Sequence, residues 1–394
     1  MRNNIEKYNL INNCCGCSAC ANICPRNAIT MERNINGFYN PKVDQIKCNE
    51  CGLCLKTCQI ENTVERNGII RPVACVNSNE DERMSSSSGG IVPLLYKFFL
   101  KIDDKTKCFG VRWNSEMNAV FDSAENENQL LMFRGSKYVQ SYIGEAYKEI
   151  GILLKKGVNV LFIGSGCQCA GLKLYLKNKK ISEEKLFLVD IVCHGMPSPK
   201  MWQDYLRTLE EKNKVVITDY AFRNKKISWH GIHPVIITEN NRSVEDDELC
   251  SSYGRLFGSL SLNMQCHLCK YANTNRCTDL TVGDYWGIEN SSCSLDSNKG
   301  VSLCLINSSK GEQLFSLIEE SLEFEIINDN SYLQPQLLNP THINPRNRAF
   351  WKEYRKKGFL YVAHKYTKES LLKNILAPIY LRMKGRKKKL NISE

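Results

Sequence analysis

No run in the chain approaches the roughly 18 apolar residues that crossing a bilayer takes. The opening stretch MRNNIEKYNLINN also lacks the apolar core of a secretory signal. These absences argue against an embedded or exported protein and predict a cytoplasmic one. Charge is missing from most of the chain as well. Of the formal net +11, the segment from Trp351 to Glu394 carries 13 Lys or Arg against 3 Glu, which leaves residues 1–350 close to neutral. No base-stacking motif accompanies that basic end, so nucleic acid is not an expected partner. Cysteine, by contrast, is abundant. The 20 cysteines in 394 residues fall below the roughly 8–10% of short secreted disulfide scaffolds, yet exceed what a cytosolic chain keeps without a use. In a reducing compartment clustered thiols are more often metal ligands than disulfides.

The cysteines begin in an internal repeat. CCGCSACANICP starts at Cys14 and CNECGLCLKTC at Cys48, 34 residues on, which marks a small duplicated module over residues 1–65. FYNPKVD between the runs reads as strand and turn, and ENTVERNGIIRP as a linker. Beyond it, strand-like and helix-like signals alternate: PVACVNS, then SSSSGGIVPLLYKFFLK as a polar Gly loop entering a helix, then VNVLFIGSGCQCAGLKLYLKNKK as buried strand, Gly turn and helix. The fold class expected is α+β, that is, mixed α/β, with a body divided into residues 73–150 and 151–340. The three prolines of QPQLLNPTHINPRNR mark the expected end of that body, and residues 341–394 read as a basic C-terminal tail.

Cys14, Cys17, Cys20 and Cys24, the last followed by Pro25, have the C-x2-C-x2-C-x3-C-P spacing of bacterial two-cluster ferredoxins. Cys48, Cys51, Cys54 and Cys58 repeat it. In that arrangement three thiolates of one run hold a 4Fe-4S cube and the fourth reaches across to the other. One cube is therefore expected on Cys14, Cys17, Cys20 and Cys58, and the other on Cys48, Cys51, Cys54 and Cys24. Two departures stand out: Gln59 replaces the second proline, and Cys15 is an additional thiol beside the first ligand. Zinc modules use paired C-x2-C knuckles rather than two runs of four, which disfavours zinc.

Four of the remaining cysteines sit where chemistry is plausible. Cys167 follows the turn GSG at the expected start of a helix, where amide N–H groups and the helix dipole favour anionic sulfur. Cys193 lies in IVCHG after another apolar strand, and Cys266 and Cys269 form the pair CHLCKYAN. Spacing leaves three readings open: a third cluster, a zinc ion, or inert buried thiols.

SSGGI at 87–91, GSKYVQS at 135–141, GSGCQCAGL at 164–172, DIVCHGMPSPKMW at 190–202 and CHLCKYANTNRCTDLTVGDYWG at 266–287 together resemble the beta subunits of coenzyme F(420)-reducing hydrogenases and dehydrogenases, an iron–sulfur flavoprotein family. The resemblance runs from about residue 73 to 330. It implies a body that binds FAD and one 4Fe-4S cluster, with Cys167, Cys193, Cys266 and Cys269 as the ligands. Eight cysteines then have no role, and Cys169 and Cys277 are the nearest competitors for ligation. It also makes Ser88, Gly89, Gly90, Gly135, Ser136, Lys137 and Tyr138 candidate flavin contacts. A Gly-Ser loop entering a helix suits a pyrophosphate physically, and Lys137 is placed to neutralise phosphate or reduced isoalloxazine. GSGCQCA is not a dinucleotide fingerprint, because Cys169 stands where the third small residue belongs. Asp284 and Trp286 in TVGDYWG read as a turn beside the cofactors, and His194 is the one candidate proton donor.

The reading that follows is an oxidoreductase in which ferredoxin or a partner subunit, three clusters and FAD exchange electrons with a small organic molecule such as coenzyme F(420). The alternative is an electron-transfer subunit of a larger complex with no substrate chemistry of its own. The tail, LLKNILAPIYLRMKGRKKKL, reads first as a solvated basic C-terminus and, alternatively, as a helix lying on an anionic membrane face, interrupted at Pro378.

Overall fold

A computed structural model of the chain describes residues 3–8, 13–240, 244 and 247–367. Its frame is an eight-stranded mixed sheet. In chain order the strands of the described residues are β1 (Ile29–Arg33), β2 (Tyr39–Val43), β3 (Arg71–Asn77), β4 (Thr106–Trp113), β5 (Ala119–Ala124), β6 (Asn159–Ser165), β7 (Leu186–Ile191), β8 (Ile217–Ala221), β9 (Val235–Thr238), β10 (Leu280–Asp284), β11 (Ser302–Ile306) and β12 (Leu322–Ile326). The large sheet runs β12-β3-β11-β10-β7-β6-β4-β5. Its centre, β10-β7-β6-β4, is parallel, and antiparallel strands flank it on both sides. The mixed α/β class read from the sequence is the one found.

The central strands are apolar on both faces because both are covered. In β6, Leu161 and Ile163 pack with Ile91, Leu94 and Phe315 beneath the sheet. Val160 and Phe162 face the opposite way, toward Tyr147, Leu172 and Tyr175. The helix Gly166–Lys179 on that second side is buried nearly all round, through Cys169, Ala170, Leu172, Tyr175 and Leu176. It has two partners, the sheet below and the N-terminal module above.

That module holds the hairpin β1–β2 and the short helices Ala19–Ile23 and Leu53–Thr57. Ile23, Ile29 and Val43 share one core with Ile143, Tyr147 and Leu172 of the body. The linker near residue 65 therefore separates two stretches of chain and not two cores.

The C-terminal boundary expected at residue 341 does not hold. Residues 347–367 are helical and bury Phe350, Trp351, Tyr354, Val362 and Tyr366 against Trp202, Tyr205 and Tyr220. Counting Lys and Arg concealed an apolar stripe at helical spacing. The basic stretch 368–394, with the membrane-surface reading attached to it, lies outside the described residues. Among the described residues no helix is long and apolar enough to cross a membrane.

Candidate functional site

The two cysteine runs are structural copies. Gly16 (φ 73) and Ser18 (φ 59) precede the first helix, and Glu50 (φ 55) and Gly52 (φ 75), 34 residues on, precede the second. This left-handed pair tightens each turn so that three thiols point inward. The fourth cysteine of each run follows its helix in an extended conformation. The crossing-over is also present. Cys24 joins Cys48, Cys51 and Cys54 around one cavity. Cys58 faces Cys14, Cys17 and Cys20 closely enough that a charge on it would raise each of their thiols.

In the body, Cys167 occupies the first turn of the helix Gly166–Lys179, Cys193 lies just beyond β7, and Cys266 and Cys269 lie at the turn Met264–Leu268 that precedes β10. A Ser165–Gln168 capping box fixes the first of these, with Gln168 Nε2 donating onward to Ser141 Oγ at 2.9 Å. Cys193 and Cys266 each lie within electrostatic reach of Cys269, as does Cys167. Burial pushes the Cys193 thiol up to about 12, so ligation of a metal centre here releases protons. Among the described residues no three His, Cys, Asp or Glu side chains converge on the position of a single metal ion. A cube, whose irons occupy separate corners, instead needs thiols spread around a space, as Cys24, Cys48, Cys51 and Cys54 are around theirs.

Cys169 and Cys277 stand apart from the four. Their thiols point to the carbonyls of Val189 and Gly166, at 3.7 and 4.0 Å. Cys75, Cys108 and Cys304 are fully buried within strands. Cys15 does not stand apart: it shares a core with Cys17, and Cys167 and Cys269 pack against that core from the body side.

Beside Cys193 opens a cavity of about 690 Å³ at the carboxyl ends of β6, β7 and β10. This is where open α/β sheets bind their ligands, and the size is that of a site for a large organic molecule. Ser88, Gly90, Gly135, Ser136, Lys137, Tyr138 and His194 line it. Gly89 does not. A Cβ there would stand 2.4 Å from the Cys75 carbonyl oxygen, so Gly89 serves close packing of its loop on β3 and β11.

The serine-rich loop meets the cavity differently from the sequence-based expectation. Ser86 and Ser88 donate their hydroxyls to the carbonyls of Glu82 and Val301, at 2.7 and 2.9 Å. Ser87 Oγ accepts from the Ser136 amide at 2.9 Å, which keeps its own proton available and ties the two motifs together. The helix Ile91–Phe99 starts at Gly90 (φ 91) with no side-chain cap, and Gly90, Ile91, Val92 and Pro93 of its first turn line the cavity, Pro93 contributing no N–H. Lys137 is pushed down to about 7 by burial. Its amine donates to the carbonyls of Met132, Arg134 and Gly135.

Several contributors gave no motif signal. Lys225, 6% exposed and lowered to about 8 by burial, donates to the carbonyls of Arg83, Ser88 and Lys299 and so fastens the serine loop. Arg223 joins Tyr138 OH (2.9 Å) to Asp284 Oδ2 (2.9 Å) and lies over the Trp286 ring, building an aromatic wall. His194 has both ring nitrogens engaged, Nε2 with the Gly258 carbonyl at 2.6 Å and Nδ1 with the Gln336 amide at 3.1 Å. It orients a loop and offers no free proton. Behind the body cysteines, Asp190 is fully buried and accepts from Arg276 (3.0 Å), Thr278 (2.9 Å) and Thr281 (2.6 Å). Only one guanidinium nitrogen of Arg276 is used there; its Nε and a second terminal nitrogen have no partner.

Comparison with known proteins gives two family matches. Residues 157–330 match the C-terminal region of the coenzyme F420 hydrogenase/dehydrogenase beta subunit, and residues 13–62 match the 4Fe-4S dicluster domain. Among curated proteins the chain is similar to a subunit of the F(420)H(2) dehydrogenase of Methanosarcina mazei, 20% identical over 191 residues, covering 46% of this chain and 53% of that protein. The chain thus spans about half the length of the curated relative it matches. Among solved structures, a chain of the xenon-derivatised F420-reducing NiFe hydrogenase complex from Methanosarcina barkeri superposes with a TM-score of 0.45 at 16% identity, over 78% of this chain and 95% of that one.

Proposed function

We propose, for a chain that joins a 4Fe-4S dicluster domain to a segment of the coenzyme F420 hydrogenase/dehydrogenase beta-subunit family, that it is an iron–sulfur flavoprotein oxidoreductase. In this reading Cys14, Cys17, Cys20 and Cys58 hold one cube, Cys24, Cys48, Cys51 and Cys54 a second, and Cys167, Cys193, Cys266 and Cys269 a third. FAD in the cavity would supply a two-electron, hydride-transferring centre beside one-electron clusters. The observation that carries the reading is Cys193, which belongs to the third cysteine set and also forms part of the cavity wall.

The cavity offers groups that suit a flavin. The N–H groups at the start of the helix Ile91–Phe99 and the Ser87 hydroxyl would hold the pyrophosphate, and Lys137, whose three N–H groups are taken by the carbonyls of Met132, Arg134 and Gly135, would act on it through its charge alone. Gly135, where an added Cβ meets nothing within 4 Å, leaves room for close approach. Ile191, Val192 and Tyr138 offer an apolar, aromatic wall for the ring system. Electrons would come from ferredoxin or a partner redox subunit in the cytoplasm, and the acceptor would be a small molecule such as coenzyme F(420).

The test is anaerobic purification followed by turnover with reduced ferredoxin or dithionite and candidate acceptors. Acceptor-dependent reoxidation by the isolated chain supports the enzyme. A flavin and clusters that reduce but reoxidise only with a partner chain support an electron-transfer subunit, a reading favoured by the relative from M. mazei being itself one subunit of a dehydrogenase.

A further inference from the structure

The two departures in the cysteine runs, the additional thiol Cys15 and Gln59 in place of proline, meet in the fold. Gln59 is 1% exposed; its Nε2 donates to Cys15 Sγ at 2.9 Å, and its Oε1 accepts from Tyr271 OH at 2.8 Å. Tyr271 stands two residues beyond Cys269, and its backbone amide donates to the Cys269 thiol at 3.4 Å. A proline at position 59 would supply neither donor nor acceptor. Cys15 is fixed from its backbone too. Gln140, also 1% exposed, donates to the Cys15 carbonyl at 3.0 Å and accepts from the Tyr39 amide at 2.8 Å. Gly16 must be glycine for this packing, because a Cβ there would stand 2.3 Å from the Gln140 amide nitrogen. The result is a buried thiol held in one position, in a core that it shares with Cys17 and against which Cys167 and Cys269 pack, with Gln59 and Tyr271 linking it to the Cys269 side.

We propose that Cys15, positioned by Gln59, is the contact through which an electron crosses between the first ferredoxin cluster and the body cluster. Electron tunnelling is faster through packed and hydrogen-bonded atoms than across a gap, and the run from Cys15 through Gln59 and Tyr271 to Cys269 is such a contact. The clusters that Cys14, Cys17, Cys20 and Cys58 and that Cys167, Cys193, Cys266 and Cys269 would hold would supply the one-electron chemistry, one giving up the electron that the other takes. No bond forms or breaks and no proton moves. Gln59 is a positioning residue: its amide fixes Cys15 from the module side while Tyr271 fixes Gln59 from the body side.

This inference rests on the reading of both cysteine sets as cluster sites, so the experiment examines that first. Iron, sulfide and the electron paramagnetic resonance of the dithionite-reduced full chain establish the clusters in the wild type; their absence overturns the underlying reading before any variant is compared. Cys15→Ala and the volume-conserving Gln59→Met are then reduced by a flash-generated donor and freeze-quenched. Expected are wild-type iron content, an unchanged dipolar interaction between the reduced centres, and a several-fold slower appearance of the body-cluster signal in both variants. The unchanged dipolar interaction separates a lost contact from a loosened fold. Wild-type rates in both variants overturn the proposal. So does loss of a whole cluster's iron from Cys15→Ala, which would make Cys15 a ligand.

Discussion

Lys137 brings an amine with an adjustable charge into the cavity. Burial lowers it to about 7, and the carbonyls of Met132, Arg134 and Gly135 favour its protonated form. Protonated, it attracts an anion; above its titration it does not. FAD affinity, read from flavin fluorescence, is therefore expected to be flat well below neutrality and to fall as pH rises through about 7. The bound anion shifts that midpoint upward by linkage. Lys137→Met should weaken binding at low pH and remove the pH dependence. Asp190 tests another kind of residue. It is the buried partner of Arg276, and removing one member of such a pair costs about 3–5 kcal/mol. Asp190→Ala should lower the unfolding free energy by that amount, read as a denaturation midpoint lowered by the loss divided by an unchanged m value. At this scale the sequence was legible where spacing carries chemistry: the eight cysteines of the runs come together as C-x2-C-x2-C-x3-C requires. Arg223, Lys225 and Arg276 were illegible, because a lone basic residue reads as a solvated surface until the fold buries it.

The helix Gly166–Lys179 is the element on which the site is assembled. It presents Cys167 to the body cysteines and Gly171 to the module, and a Cβ at Gly171 would lie 3.1 Å from Cys17 Sγ and 3.2 Å from Tyr147 OH. Gly171→Ala sets two effects against each other. Helix propensity gains about 1 kcal/mol, while overpacking a tight contact costs about 1–3 kcal/mol. Because the contact is a thiol assigned to the first cube, the loss should win. Iron per chain after anaerobic purification is expected to fall for Gly171→Ala, and further for Gly171→Leu, with the body cluster signal retained. The strand, Gly turn and helix of residues 158–180 were readable because a doubly covered strand is a continuous apolar run. The helix over 347–367 was missed. Its Phe350, Trp351, Tyr354 and Tyr366 are interleaved with lysines and arginines, so charge dominated the composition while periodicity carried the structure.

Across the whole molecule, cysteines from distant parts of the chain are brought together: Cys20 of the first set lies within electrostatic reach of Cys54 of the second, Cys15 sits in the core against which Cys167 and Cys269 pack, and Cys193 opens onto the cavity. A shared core through Ile23, Val43, Tyr147 and Leu172 fixes that arrangement, so the ferredoxin-like module is built in rather than carried on a tether. Deleting residues 1–65 should therefore give a body that loses cooperative unfolding, not an independently stable domain. The packed helix 347–367 also decides where a membrane test should cut the chain. A truncation after Thr367 spares the packed helix and removes only the basic stretch, and reduced co-sedimentation with anionic vesicles is the outcome expected if that stretch binds a membrane surface. The sequence could not show the shared core, since linker composition marks where a chain turns and not whether the flanking cores merge.

The central claim, that three thiol sets and a flavin cavity form one redox path, meets its most direct test in a single assay of the full chain purified without oxygen. Iron, acid-labile sulfide, zinc and flavin are measured on the same sample. About 12 iron with matching sulfide and a molecule of FAD per chain is the predicted result; zinc without sulfide, or iron confined to the module with no flavin, would contradict it.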